Sequence, residues 1–314
     1  MWTAMTFQIT ASLPGVCNSK NVELADTNGK STRSFSFRWY SPFALRTASK
    51  VERTKSMTTD LGQRVALVTG AGTGIGRAIA IDLARAGTKV LVCGRRRELL
   101  DQTLNKFPDS SAGKAYTVDL TDPAATEQLA ADINKDSGDV DILINNAGFS
   151  SKIRSARHIG AEEWQSVMDV NTLGPVILTK SLLPGMIKQQ RGDVIMISSL
   201  AGLRPNVMAG AAYSAAKAAA RAYMEVLSSE VRRHGIRCTT IFPGEVDTPI
   251  LDNRALPPDA DARATMMKAE DISAVVMTAL HLPHRATVLE LSIGATEPRD
   301  MSADIKAALD KEQH

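Results

Sequence analysis

From Arg64 onward, short apolar runs alternate with longer stretches in which apolar residues recur every three or four positions. The runs are Arg64–Thr69, Lys89–Cys93, Ala115–Val118, Asp141–Asn145, Asp193–Ser198, Ile236–Phe242 and Thr287–Leu291. Most are nearly continuous in Val, Ile and Leu, the pattern of strands buried on both faces of a parallel sheet. Helical periodicity fills the gaps, most clearly over Ile75–Ala86, Pro123–Asp136, Ala161–Lys188, Ala211–His234 and Glu270–Leu280. Strand–helix alternation of this kind predicts an α/β fold. It is a single doubly wound parallel sheet of about seven strands with helices on both faces, and ligands bind at the carboxyl ends of the strands. The polar, Pro- and Asp-rich segment from Thr248 to about Thr265 breaks the pattern and reads as a lid or substrate loop, or as a plain connection.

The pattern is absent before residue 59 and fades after residue 300. The expected organisation is therefore an N-terminal extension (1–58), one folded domain (59–300) and a C-terminal tail (301–314). Of the 314 residues, 44% are hydrophobic and 23% charged, an ordinary globular balance with no apolar run long enough to span a membrane. The net charge of +3 resides in the extension, because residues 1–56 hold eight Lys/Arg against three Asp/Glu. The body is near neutral, which argues against nucleic acid as a partner. Arg33, Arg38, Arg46 and Arg53 interleave with Ser and aromatics as in a transit peptide, while Glu23 and Asp26 interrupt the pattern. The extension is a transit peptide, a disordered tail or the product of a mis-assigned start. The location is accordingly cytoplasmic, or mitochondrial or plastid if the extension targets. Three widely spaced cysteines, Cys17, Cys93 and Cys238, argue against a disulfide framework or a zinc site, and no metal is expected.

Two short segments carry candidate chemistry. Thr69-Gly70-Ala71-Gly72-Thr73-Gly74-Ile75-Gly76 joins the first strand run to a helical run. A glycine turn at a helix N-terminus lets backbone approach a pyrophosphate and aims free N–H groups and the helix dipole at it, as in a Rossmann domain. Farther on, Tyr213 and Lys217 stand four apart in an Ala-rich helical stretch, on one helix face. An ammonium about 4 Å from the phenol, at an effective dielectric of ~20, is worth about 4 kcal/mol. That is enough to bring a phenol that titrates near pH ~10 toward neutrality, where it can exchange protons.

With Asn145-Asn146-Ala147-Gly148, Asn171, Ser199 and Pro243-Gly244 in the same order, these segments resemble the short-chain dehydrogenase/reductase family over about residues 60–295. The resemblance implies hydride transfer between a nicotinamide and a carbonyl or secondary alcohol. Tyr213 would be the acid/base, Lys217 would lower its pKa, Ser199 would hold the substrate oxygen, and Asn171 would hold a water in a proton relay. Ser198 precedes Ser199, and period-2 alternation turns the two to opposite sides. The Ser199–Tyr213 gap of fourteen residues is one longer than the family's usual spacing, which puts an extra residue in the intervening loop. The cofactor residues implied are Gly70, Thr73, Gly74, Ile75, Gly76, Arg95, Asp119, Leu120, Asn145, Gly148, Tyr213, Lys217, Pro243, Gly244 and Thr248. Asp119 and Leu120 would flank the adenine, and Thr248 would reach the nicotinamide amide. Asp122 reads as a helix cap. Family members usually pair as homodimers or homotetramers through their long fourth and fifth helices. A catalytically silent dinucleotide-binding sensor or scaffold is the alternative, but all four catalytic positions are filled.

The cofactor is expected to be NADP(H) rather than NAD(H). An NAD site places an acidic residue at the end of the second strand to bind the ribose 2′-hydroxyl. Here Gly94 stands there, followed by Arg95-Arg96-Arg97. Glycine leaves room for a 2′-phosphate and Arg95 is placed to bond it, with Arg96 or Arg97 as a weaker partner. Lys152, Arg154 and Arg204 follow the fourth and fifth strand runs. They greet a carboxylate, a phosphate or an acyl-carrier protein, or else form a solvated loop rim.

Overall fold

The computed structural model describes residues 21–24, 33–36, 59–109, 113–254 and 256–310. Within the extension, Asn21–Leu24 pairs antiparallel with Arg33–Ser36. The transit-peptide expectation otherwise falls outside the described residues, as does Cys17. No helix among the described residues is long and apolar enough to cross a membrane.

The body carries seven parallel strands. These are β1 (Val65–Thr69), β2 (Lys89–Gly94), β3 (Gly113–Thr117), β4 (Ile142–Asn145), β5 (Gly192–Ile197), β6 (Ile236–Pro243) and β7 (Glu290–Ile293). Their order in the sheet is β3-β2-β1-β4-β5-β6-β7. The order reverses between β1 and β4, which opens a crevice at their carboxyl ends. Alternate residues of β1 point to opposite faces. Val68 packs with Ile79, Leu83, Ile272 and Val276 of α1 (Gly74–Arg85) and α8 (Ala269–His281). Leu67 packs on the other face with Leu129, Ile133, Leu178, Leu182, Met224 and Leu227. Those residues come from α3 (Pro123–Ser137), α5 (Gly174–Gln189) and α6 (Ala211–Val231). Buried Cys93 and Cys238 sit in this second cluster, where burial pushes both thiols up to about 12.

Local differences from the pattern have identifiable causes. Strand β7 begins three residues later than the hydrophobic run; before it, the Val288 carbonyl accepts from the Thr239 hydroxyl at 2.7 Å. Helix α2 (Arg97–Leu104) begins inside the arginine run although positive charge opposes the dipole at that end. Glu98 in its first turn and an Arg97–Asp101 pair at 2.9 Å offset the penalty. The long helix over 161–188 is two helices, α4 (Ala161–Met168) and α5, joined by a π turn at Asp169–Leu173. The short α7 (Ala260–Ala264) lies within the segment expected as a lid, and residues expected as a tail include α9 (Ser302–Asp310), in which Asp304 and Ala308 are buried.

At the amino end of the strands, Asp193 accepts from Arg64 at 2.6 Å and from Arg237 at 2.6 Å, all three buried. This cluster ties β5 to β6 and to the residue before β1, at the end opposite the crevice. At the crevice end, Asp122 caps α3 by accepting from the Ala125 N–H at 3.1 Å. Replacing Asp122 with alanine is expected to cost about 1 kcal/mol in urea unfolding and to leave turnover unchanged.

Candidate active site

The crevice is a cavity of about 780 Å³. One end is built by the turn between β1 and α1. Gly70 and Gly74 have φ of +63° and +53°, and both line the cavity with Thr73 and Ile75. A Cβ on Gly74 would come within 3.0 Å of the Thr248 methyl, and one on Gly70 within 2.9 Å of the Ala147 Cα. No side chain caps the α1 N-terminus, so its leading N–H groups face the cavity. This bare cradle suits a pyrophosphate.

Gly76 differs from the expectation. It does not line the cavity, and a Cβ there would lie 2.4 Å from Asn146 Nδ2 and 2.5 Å from the Gly70 carbonyl oxygen. Its place is close packing behind the turn rather than ligand approach. Asn145 also lies off the cavity wall. Its side chain turns from the cavity and donates to Thr179 Oγ1 at 2.9 Å, bracing β4 against α5. Asn146 stands on the cavity side, as alternation at a strand end requires, and donates to the Thr69 carbonyl at 2.9 Å. Thr69 completes the tie, its hydroxyl accepting from the N–H groups of Asn146 and Ala147 at 2.9 Å each.

Beyond the turn, Gly94, Arg95 and Arg96 line the cavity while Arg97 turns to Asp101. A side chain at position 94 would meet the Leu100 Cδ2 at 3.6 Å, an ordinary contact, so glycine there is not demanded by packing. Asp119 and Leu120 line the same end, and one Asp119 oxygen accepts from the Thr121 N–H at 3.0 Å. Gly148, Pro243, Gly244 and Thr248 line the middle.

The reactive end gathers Ser199, Tyr213 and Lys217. The Ser199 hydroxyl accepts from the Ala201 N–H at 3.2 Å and lies close enough to the Tyr213 phenol to act on its proton, while buried Ser198 donates to the Lys217 carbonyl at 3.2 Å. Lys217 is 3% exposed; its Nζ donates to the Ile197 carbonyl at 3.0 Å and lies 5.6 Å from the Tyr213 ring centre. Burial lowers its ammonium to about 8. Burial also pushes the Tyr213 phenol up, opposed by the Ser199 hydroxyl and by the guanidiniums of Arg154 and Arg254. On balance the phenol stands above its ordinary value in this arrangement, with the Lys217 ammonium near its ring.

Asn171 sits at the centre of the π turn, fully buried and off the cavity wall. Its amide donates to the carbonyls of Phe149 and Val167 at 2.9 Å each, and its Oδ1 has no partner. A Cβ on Gly148 would lie 2.6 Å from that Oδ1 and 3.4 Å from Lys217 Nζ, so both groups border the same small space. An orphaned buried acceptor beside an ammonium is the geometry of a water site.

Of the basic residues after β4 and β5, only Arg154 lines the cavity; Lys152 and Arg204 are exposed rim residues. Sequence reasoning missed Arg254, Glu245 and Arg299, which form the far wall. Arg254 bonds Glu245 at 2.6 Å, and Arg299 bonds Glu245 at 2.9 Å and Asp304 at 2.8 Å. The clasp seats α9 beside the site. Glu245, directly after the Pro-Gly motif, was the one available signal.

A doubly wound sheet that gathers a bare glycine turn, a Ser–Tyr pair and a buried lysine at its carboxyl edge defines a Rossmann-type oxidoreductase. A family model described as short chain dehydrogenase matches residues 64–258. An uncharacterised oxidoreductase of Staphylococcus aureus (strain USA300) is 35% identical over 237 residues, 75% of this chain and 98% of its own. Among solved structures, a metagenomic short-chain oxidoreductase in complex with NADP is 28% identical with a TM-score of 0.66, covering 76% of this chain and 100% of that one. The closed form of a serine dehydrogenase complexed with NADP+ is 30% identical with a TM-score of 0.68, over 75% and 96% of the two chains. The chain belongs to the short-chain dehydrogenase family.

Proposed function

We propose that the protein reduces a carbonyl, or oxidises the matching secondary alcohol, with NADP(H). The observation that carries this reading is the Ser199–Tyr213 hydroxyl pair on the wall of the cavity that the glycine turn also lines. When bound, the reduced nicotinamide supplies a hydride to the carbonyl carbon. Ser199 holds the carbonyl oxygen and Tyr213 donates the proton it gains. Lys217 bonds the nicotinamide ribose, keeps positive charge beside the phenol, and draws replacement protons through a water held by Asn171. Gly70, Gly74 and the uncapped α1 N-terminus receive the pyrophosphate, and Arg95 with the bare Gly94 receives a 2′-phosphate. The NADP bound to the two similar solved structures supports the same choice. The silent-sensor alternative has no residue in its favour, since Asn171, Ser199, Tyr213 and Lys217 are all present.

The test is NADPH oxidation by the purified full chain against aldehydes, diketones, quinones, 3-oxoacyl thioesters, oxo acids and steroids, with the alcohols and NADP+ for the reverse direction. Turnover with at least one class is expected. NADPH binding with no turnover in either direction would return the protein to the sensor class.

A further inference from the structure

A buried guanidinium needs a counter-charge, because removing a charge from water costs several kcal/mol unless it is paired. Arg154 is 5% exposed, yet among the described residues no carboxylate forms an ion pair with it. Its Nη1 donates to two neutral oxygens, Ser150 Oγ and the Ala209 carbonyl at 2.9 Å. Its Nε is fully buried with no partner. The side chain lines the same cavity as Ser199 and Tyr213.

The next positive group adds to the imbalance. Arg254 lines the same wall, and the two arginines also border a small void together with Met208 and Asp304. Arg254 and Arg299 are balanced by Glu245 and Asp304 within the clasp. The carboxylate that acts on Arg154 is Glu163, which forms no ion pair with it and accepts instead from the Ile153 N–H at 3.3 Å, so the guanidinium is balanced only from a distance. Burial, and after it the field of Arg254, lowers the Arg154 guanidinium to about 10 against the weaker opposing fields of Tyr213 and Glu163. An anion between the two would relieve both effects.

Arg154 is also held where it is. Its carbonyl accepts from the Ala211 N–H at 3.0 Å, at the start of the helix that carries Tyr213. Gly210, at φ +87°, passes so close that a Cβ there would lie 3.0 Å from the Arg154 Cδ. One helix start thus fixes the guanidinium relative to the phenol.

The geometry points to a carboxylate-binding pair, Arg154 and Arg254, and hence to a substrate that is a small oxo acid or hydroxy acid. The acid end is held by the guanidiniums, which leaves the carbonyl or hydroxyl at Ser199 and Tyr213. A guanidinium fork matches a planar carboxylate with two parallel N–H donors, which fixes orientation as well as charge. This inference rests on the carbonyl-reductase reading of the site.

Two measurements separate the inference from the reading beneath it. In the first, kcat/KM is compared for 3-oxo acids and their methyl esters in the wild type, Arg154→Met and Arg154→Lys. The wild type is expected to favour the acid by about 10- to 150-fold, the worth of a charge-assisted hydrogen bond. Arg154→Met is expected to erase the preference through KM for the acid, and Arg154→Lys to keep part of it. Reduction of acid and ester with equal kcat/KM by the wild type, or an unchanged ratio in Arg154→Met, would overturn the carboxylate site and leave the reductase reading intact. In the second, glutarate, its dimethyl ester and methylphosphonate are titrated calorimetrically into protein with NADP+, with no turnover involved. Glutarate binding that is lost in Arg154→Met supports the site even if no carbonyl is reduced. Tighter binding of methylphosphonate than of glutarate would overturn the assignment to carboxylates.

Discussion

Tyr213→Phe is expected to lower kcat by about 10²–10⁴-fold while the dissociation constant for NADPH, read by fluorescence titration, stays within about threefold. The size is the usual worth of a positioned proton donor. Phenylalanine keeps the ring packed against Ala212, Ala216 and Phe149, the cluster into which Tyr213 is half-buried. What is lost is one hydroxyl, the one on which Ser199 acts. The Ser199 hydroxyl remains and can still hold the substrate oxygen, so residual binding of substrate is expected. A loss of less than about tenfold would remove Tyr213 from the acid/base role. Lys217→Ala provides the contrast. The ammonium sits on the cavity wall, bonded to Ile197 and next to the space shared with Asn171, so its loss is expected to weaken NADPH binding as well as turnover.

NADPH is expected to exceed NADH in kcat/KM by about 10- to 150-fold, and Gly94→Asp with Arg95→Ile is expected to reverse the order. That range is the worth of a charge-assisted hydrogen bond between Arg95 and a 2′-phosphate. Arg95 is exposed on the cavity wall, so screening by water and salt places the value toward the lower end and makes it fall with ionic strength. The double variant is sterically permitted, since a Cβ at position 94 makes only an ordinary contact with Leu100. The aspartate supplies an acceptor for the ribose 2′-hydroxyl and repels a phosphate. Equal use of both cofactors by the wild type would refute the assignment.

Legible along the chain was whatever local pattern dictates. The five central strands follow from their nearly continuous apolar runs, while the edge strands β3 and β7 are half-exposed and their ends are less sharply marked; the glycine turn and the Tyr–Lys pair follow from fixed spacing. The choice of Ser199 over Ser198 rests on the family resemblance, and alternation adds only that the two face opposite sides; Ser198 donates to the Lys217 carbonyl, and Ser199 lines the cavity with Tyr213. The Asp122 cap was equally local. The remainder depends on residues far apart in the chain. Arg154 has no sequence signature separating it from Lys152, and only the packing of Gly210 and α6 makes one buried and the other exposed. The Glu245 clasp joins positions 254, 299 and 304 through side chains alone. Helix α2 is too short for its periodicity to stand out from the arginine run. The functions of Asn145 and Asn146 separate only once the strand end fixes which of the two faces the crevice.

The π turn at Asp169–Leu173 amounts to one surplus residue in an otherwise regular helix, since each i→i+5 bond spans one residue more than an α-helical one. Its flanks keep their separate obligations: Val167 packs with Ala212 and Ala216 of α6, while Leu178 and Leu182 cover the sheet. Removing the surplus residue would leave those flanks in phase, because a π turn absorbs its extra length without rotating the helix beyond it. The helix would close its regular ladder, and only Asn171 would lose its outward bulge toward Phe149 and the space beside Lys217. For this fold, then, the smallest deletion that heals the backbone also empties the site. Single-residue shortening at 169–173 is therefore expected to move Asn171 away from Lys217 while the flanking helices keep their packing.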